Sequence, residues 1–149
     1  MKNGFTLIEI LVSLVILTLV MGAGWFSFSG YTARKELDST TARVAALVAE
    51  AKSKTLAGEA GSAWGVHFEE TKAVLFKAPT YQAGAADNKT EAMPRRVLIS
   101  SISFSNSEAI FKRLTGAALS AGSVTLSVRG NASLFKTISV NALGVIEGD

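Results

Sequence analysis

Glu9 is the one ionisable side chain inside the most apolar stretch of the sequence. Between Phe5 and Ala33 it carries the sole formal charge, in a run of aliphatic, aromatic and small residues that reaches Phe28. A carboxylate held in hydrocarbon costs about 3 kcal/mol or more unless it finds a partner. The partner must be a cation, and the nearest is Lys2, about two helical turns back. If the chain is cut ahead of Phe5, Lys2 is lost and the α-amino group of Phe5 replaces it. Amine and carboxylate would then lie about one turn apart on one chain, or on adjacent chains whose helices stagger. Such a buried pair contributes little stability, because desolvation offsets the attraction, but it does fix register.

The run from Phe5 to Phe28 is long enough to span, since about 20 apolar residues cross a hydrocarbon core. A secretory signal peptide would have a longer basic region than Met1-Lys2-Asn3 and a small-residue cleavage site at its far end. Met21-Gly22-Ala23-Gly24 imitates such a site only loosely. A plain single-pass anchor is the other bland reading. Neither explains Glu9.

Lys2-Asn3-Gly4-Phe5-Thr6-Leu7-Ile8-Glu9, continued by Ile10-Leu11-Val12, resembles the N-terminal signal of type IV pilins and type II secretion pseudopilins. The likeness rests on a short basic leader ending in Gly, an aromatic residue next, a Glu four positions later and an apolar helix. The resemblance implies a prepilin peptidase that cuts between Gly4 and Phe5 and methylates the new Phe5 amine. It also implies that Glu9 pairs with the N-terminal amine of a neighbouring subunit during assembly. The partners implied are that peptidase, other pilins or pseudopilins meeting the N-terminal helix, and inner-membrane lipid before assembly. The chain would sit in the bacterial cytoplasmic membrane with its N-terminus inside and its head outside, then in a periplasmic or extracellular filament.

Past Tyr31 the sequence turns polar yet keeps a helical period. Leu37, Thr41, Val44, Val48, Ala51 and Thr55, with Leu47 alongside, make one stripe. Arg34, Lys35, Asp38, Arg43, Glu50 and Lys54 lie opposite, and Glu50 and Lys54 are spaced to pair. Gly58 and Gly61 end the helix, which is expected over Thr6–Leu56 with any bend near Gly22 and Gly24.

From Ser62 the period becomes that of strands. Trp64–Phe68 and Ala73–Phe76 read as a hairpin around Glu69–Lys72, and Ala78–Met93 reads as a long mobile loop. Arg96–Phe104, Ala109–Leu114, Ser123–Val128, Leu134–Val140 and Leu143–Ile146 read as further strands, the first with uncertain register. The expected fold is α+β and pilin-like: a long N-terminal helix, half hydrophobic and half amphipathic, packed on a small antiparallel sheet or sandwich. The expected divisions are a leader at 1–4, a membrane or filament-core half-helix at 5–30, an amphipathic half at 31–57 and a β-rich head at 58–149.

The order Trp-Gly-Val-His-Phe, a Leu-Phe strand, Gly-Ser-Val-Thr-Leu and Thr-Ile-Ser-Val-Asn-Ala-Leu-Gly-Val-Ile is similar to the GspH/FimT-type minor pilins and pseudopilins. Some of that group bind DNA through a C-terminal Gly-Arg-x-Arg loop. Val128-Arg129-Gly130-Asn131-Ala132 has one Arg in the wrong order, so no basic motif supports a DNA partner here.

Cysteine is absent, which removes disulfides, thiolate nucleophiles and Cys-based metal sites. Beyond Gly58 the acidic and basic residues nearly balance, with Arg95-Arg96 and Lys112-Arg113 the only basic pairs. His67 is the sole histidine and reads as a polar-face strand residue. Glu69-Glu70 read as a solvated turn, Trp64 as core and Tyr81 as a loop residue. Phosphate loops, nucleophile elbows and zinc spacings are missing. The sequence thus predicts no catalytic residue, cofactor or metal, and a structural subunit of a pilus or secretion filament. A pilus-associated subunit that captures DNA or a surface is the alternative.

Overall fold

Helix α1 covers Leu7–Leu56, one residue short of its expected start. The computed structural model describes residues 4–148, and within α1 the side chains of residues 23–29 fall outside that description. The helix continues without interruption through Gly22 and Gly24. The chain divides after Ala33 into an N-terminal unit and a unit beginning at Arg34, which holds the second half of α1 and all the strands.

Within the second unit the predicted stripe is buried as a set. Leu37, Thr41, Val44, Leu47, Val48, Ala51 and Thr55 are all shielded, and Thr40 joins them by donating its hydroxyl to the Glu36 carbonyl at 2.7 Å. The stripe mixes aliphatic residues with threonines because a Thr hydroxyl can be satisfied by the helix's own carbonyls. Thr55 also joins helix to sheet. Its Oγ1 donates to the Ala51 carbonyl at 2.8 Å and accepts from the Trp64 amide at 2.8 Å. Gly58, at φ 65, adopts the left-handed conformation that ends the helix.

Eight strands follow: β1 (Trp64–Glu69), β2 (Lys72–Lys77), β3 (Lys89–Ala92), β4 (Val97–Ile102), β5 (Glu108–Ile110), β6 (Gly122–Val128), β7 (Asn131–Val140) and β8 (Ile146–Gly148). They form two antiparallel four-stranded sheets, ordered β3-β2-β1-β5 and β4-β6-β7-β8. Val66, Phe68 and Leu75 of the first sheet are buried, as are Val124, Leu126 and Ile138 of the second. The two are tied where the Ile99 amide donates to the Glu70 carbonyl at 2.9 Å and the Phe68 and Phe104 rings meet at 5.5 Å.

Four expectations need correction. The stretch 78–93 is not a long mobile loop, because it contains β3 and a segment folded onto the first sheet. Tyr81 stacks on His67 at 4.1 Å and meets Phe76 edge-on at 5.7 Å, which is how Val74 and Phe76 become buried on a face pointing away from Val66. Second, Glu50 does not pair with Lys54. Glu50 accepts from Lys89 at 2.7 Å, while Lys54 pairs with Glu59 and covers the Trp64 ring. Third, the strand at Ala109–Leu114 is really β5, and Leu114 stands in a turn at φ 71. Fourth, Leu143 belongs to the β7–β8 turn, where Asn141 Oδ1 accepts from the Leu143 and Val145 amides. The uncertain register of β4 also has its cause. An irregularity between Ile99 and Ser101 lets Ile102 pair with Val124 on the face that Val97 and Ile99 already occupy.

Thr55→Val keeps the shape of the joint but leaves the Trp64 amide without its acceptor. The substitution is expected to lower stability by about 1–3 kcal/mol, read from denaturant unfolding of the detergent-held chain by circular dichroism.

Candidate processing and assembly site

The start of α1 is set by Thr6. Its Oγ1 accepts from the Glu9 amide at 3.3 Å, and its carbonyl accepts from the Glu9 and Ile10 amides at 3.1 and 3.3 Å. Thr6 is therefore the N-cap, and Thr6-Leu7-Ile8-Glu9 has the spacing of a capping box. This was legible as Thr-x-x-Glu ahead of an apolar run, and the family resemblance drew attention to the Glu alone. Glu9 lies in the first turn of the helix rather than deep inside it. There the unpaired amides of the helix end favour a negative charge by about 0.3–1 kcal/mol.

Gly4 and Phe5 precede the cap outside the helix, and both are exposed. A Cβ added at Gly4 would meet nothing within 4 Å. A peptide bond in exposed, non-helical chain just ahead of a capped helix is open to an enzyme, whereas residues from Leu7 onward lie in the helix. Beside Glu9, the residues Thr6, Ile8, Val12 and Ser13 line a shallow groove, and the Ser13 hydroxyl donates to the Glu9 carbonyl at 2.7 Å. Lys2, the cation nearest in sequence, lies outside the described residues, so the structure places Gly4, Phe5 and Glu9 but not Lys2.

Every described side chain from Phe5 to Gly22 is exposed, including Leu7, Ile8, Leu11, Val15 and Leu19. A helix apolar all round is one that belongs inside lipid or among other helices. Among the described residues no helix is long and apolar enough to cross a membrane.

The remaining sequence candidates are accounted for in the head. His67 sits under Tyr81 with its Nδ1 3.5 Å from Glu108 Oε1 and its Nε2 3.9 Å from Glu69 Oε1. Glu69 pairs with Lys72 at 3.1 Å, and this hydrogen bond and charge hold the Lys72 ammonium above its ordinary pKa of 10.5. Trp64 is buried with its indole donating to the Glu59 carbonyl at 3.2 Å. No cluster able to hold a metal ion occurs among the described residues.

Two surface features were not visible in the sequence. The Arg129 amide donates to the Arg96 carbonyl at 2.7 Å, so the exposed residues Arg95, Arg96 and Arg129 form one basic cluster. At the C-terminal end of α1, Leu56, Leu114 and Leu143 are exposed around a contact in which Gly116 lies against Leu56 and Gly144 against the Gly116 carbonyl. A Cβ at Gly144 would stand 2.0 Å from that oxygen, so only glycine permits the approach.

Residues 1–25 match the family model described as the prokaryotic N-terminal methylation motif. The fold is similar to the crystal structure of the type IV minor pilin FimU of Pseudomonas aeruginosa, with a TM-score of 0.60 and 13% identity. That match covers 80% of this chain and 92% of the other. No curated protein matches the chain in sequence. In N-terminal motif and in fold, the chain is type IV pilin-like.

Thr6→Ala is expected to destabilise the first turn by about 1 kcal/mol. Hydrogen exchange at the Glu9 and Ile10 amides should speed up, while Thr6→Ser should leave it near the original rate.

Proposed function

We propose that this chain is a non-enzymatic structural subunit, a minor pilin or pseudopilin of the GspH/FimT type, in a type IV pilus or type II secretion filament. It is inserted in the cytoplasmic membrane through residues 5–30, cut between Gly4 and Phe5, methylated on the Phe5 amine, and assembled by helix packing. The observation that carries this reading is a capped apolar helix, preceded by exposed, non-helical Gly4-Phe5 and bearing Glu9 in its first turn, whose described side chains to Gly22 are all exposed.

A carboxylate on a helix in lipid costs about 2.5–3.5 kcal/mol at the centre of the bilayer and less toward the helix end. In the first turn the helix end returns about 0.3–1 kcal/mol, which covers only part of the cost. A cation supplies the rest, and processing creates one at Phe5. The subunit's own amine starts the same helix that Glu9 belongs to, and a neighbour's amine reaches Glu9 when the helices stagger. Assembly then buries two charges together instead of leaving either alone.

The exposed leucines at the far end of α1 fit the same reading. Leu114 is 92% exposed and held at φ 71, a conformation that costs a leucine about 1–2 kcal/mol and brings the isolated chain no burial. A neighbouring head in the filament would give that side chain its contact.

Mass spectrometry of the chain from cells with an active prepilin peptidase should show the four leader residues removed and one methyl group on Phe5. An intact Met1 would sink the proposal. Glu9→Gln and Glu9→Ala should leave cleavage intact and reduce filament incorporation by at least about tenfold, the equivalent of roughly 1.4 kcal/mol. Leu114→Asn should raise the stability of the monomer slightly, since Asn accepts positive φ, yet weaken incorporation.

A further inference from the structure

The arginine cluster lies at the end of the head where the chain arrives from the apolar helix. The second unit begins at Arg34, and Lys35 beside it is exposed like Arg34 itself. Lys136 of β7 reaches Asp38 at 3.5 Å, which sets the start of β7 beside this first turn of the unit. Leu37, Leu134 and Phe135 line the groove between them, and Phe135 is 60% exposed. Val128 pairs with both Asn131 and Val97, so the β6–β7 turn carrying Arg129 and the approach to β4 carrying Arg95 and Arg96 lie at this same end.

Acidic side chains are present but do not neutralise the cluster. Glu70 meets Arg129 at 3.5 Å with both side chains more than half exposed, and exposed pairs of that length attract weakly. Among the described residues no ion pair engages Arg95 or Arg96. The surface therefore combines exposed guanidinium groups with an exposed aromatic ring, at the point where the chain enters the head from a helix proposed to lie in lipid.

We infer that this end of the head rests on anionic phospholipid headgroups before the subunit enters a filament. Basic side chains near such a surface are attracted within a Debye length of it, and the tether keeps Arg34 within that range. Phe135 suits the boundary between headgroups and acyl chains, where an apolar ring and neighbouring guanidinium groups both find partners. A nucleic acid is the weaker occupant. Tyr81 is engaged on His67 and Trp64 lies in the core, so Phe135 by itself offers no run of successive stacking platforms, and Glu70 and Asp38 interrupt any continuous track of positive charge.

The inference rests on the proposed membrane insertion, and the test separates the two. The chain has no cysteine, so single labels can be placed at Ala132→Cys and Ala121→Cys, near opposite ends of the β6–β7 hairpin, and at Leu17→Cys in the apolar helix. The full chain is reconstituted in nanodiscs of phosphatidylcholine, with or without phosphatidylglycerol, and probed with headgroup-attached and acyl-chain-attached quenchers. Headgroup quenching should appear at position 132 and not at 121, and only with phosphatidylglycerol. It should fall by about half or more when salt rises from about 0.1 M to about 1 M, and likewise in the Arg95→Gln/Arg96→Gln/Arg129→Gln variant. Equal quenching in neutral nanodiscs, or quenching that ignores both salt and the triple variant, overturns the inference. So does charge-dependent retention of duplex DNA by the nanodisc-held chain without lipid quenching at 132. Acyl-chain quenching at position 17 with no headgroup quenching at 132 defeats this inference alone, whereas no acyl-chain quenching at 17 defeats the insertion reading and this one with it.

Discussion

Burial along α1 changes character at Ala33. Every described side chain from Phe5 to Gly22 is exposed, and from Ala33 to Thr55 one stripe is shielded while the opposite face stays open. One hydrogen-bonded helix thus presents two surfaces that ask for different surroundings. The amphipathic half is satisfied within the chain by two small sheets. Among the described residues, the side chains of the apolar half are all exposed through Gly22, on the same element that organises the head.

The head meets its own demand with few residues and no disulfide. Polar joints replace covalent ones. Thr55 fixes the end of α1 against the start of β1, Lys89 and Glu91 tie β3 to Glu50 and Arg43, and Tyr81 closes the outer face of the first sheet. Buried hydrogen bonds of the Thr55 kind cost more to break than they contribute when made, which makes them better at specifying an arrangement than at stabilising it. The ion pairs to β3 are exposed and individually weak. Their effect is to position an edge strand that has no apolar side chain of its own to bury apart from alanine.

That polarity is why β3 was not legible. Lys89-Thr90-Glu91-Ala92 carries no alternation of apolar residues, and its pairing with β2 depends on charges supplied by a helix some forty residues earlier in the chain. The stripe on α1 and the β1–β2 hairpin were legible because each is a periodicity within a short window. Leu114 and Leu143 misled for the complementary reason. An apolar residue at the edge of a strand-like run is read into the strand, yet turn geometry at Leu114 and an Asn141-capped turn at Leu143 put both outside it. The irregularity in β4 was invisible because it is defined by the partner strand. At the candidate site, Gly4, Phe5 and Glu9 are named by pattern alone, and what the pattern left out was the role of Thr6 as helix cap.

Thr6 changes the energetics of Glu9. A glutamate placed in the middle of the apolar helix would face the full cost of ionisation in hydrocarbon with all nearby amides already committed to carbonyls. In the first turn it meets amides that have no carbonyl within the helix, and the Thr6 cap fixes where that turn begins. The same position keeps the carboxylate within a few residues of Phe5, so a charge introduced by the proposed cleavage would arise where the deficit is. Shifting the carboxylate one turn onward, to the place of Ser13, would move it away from both sources of positive potential at once, because the helix-end effect fades within the first turn. Cap, carboxylate and proposed cleavage point would therefore act as one electrostatic unit, contained in the six residues from Gly4 to Glu9.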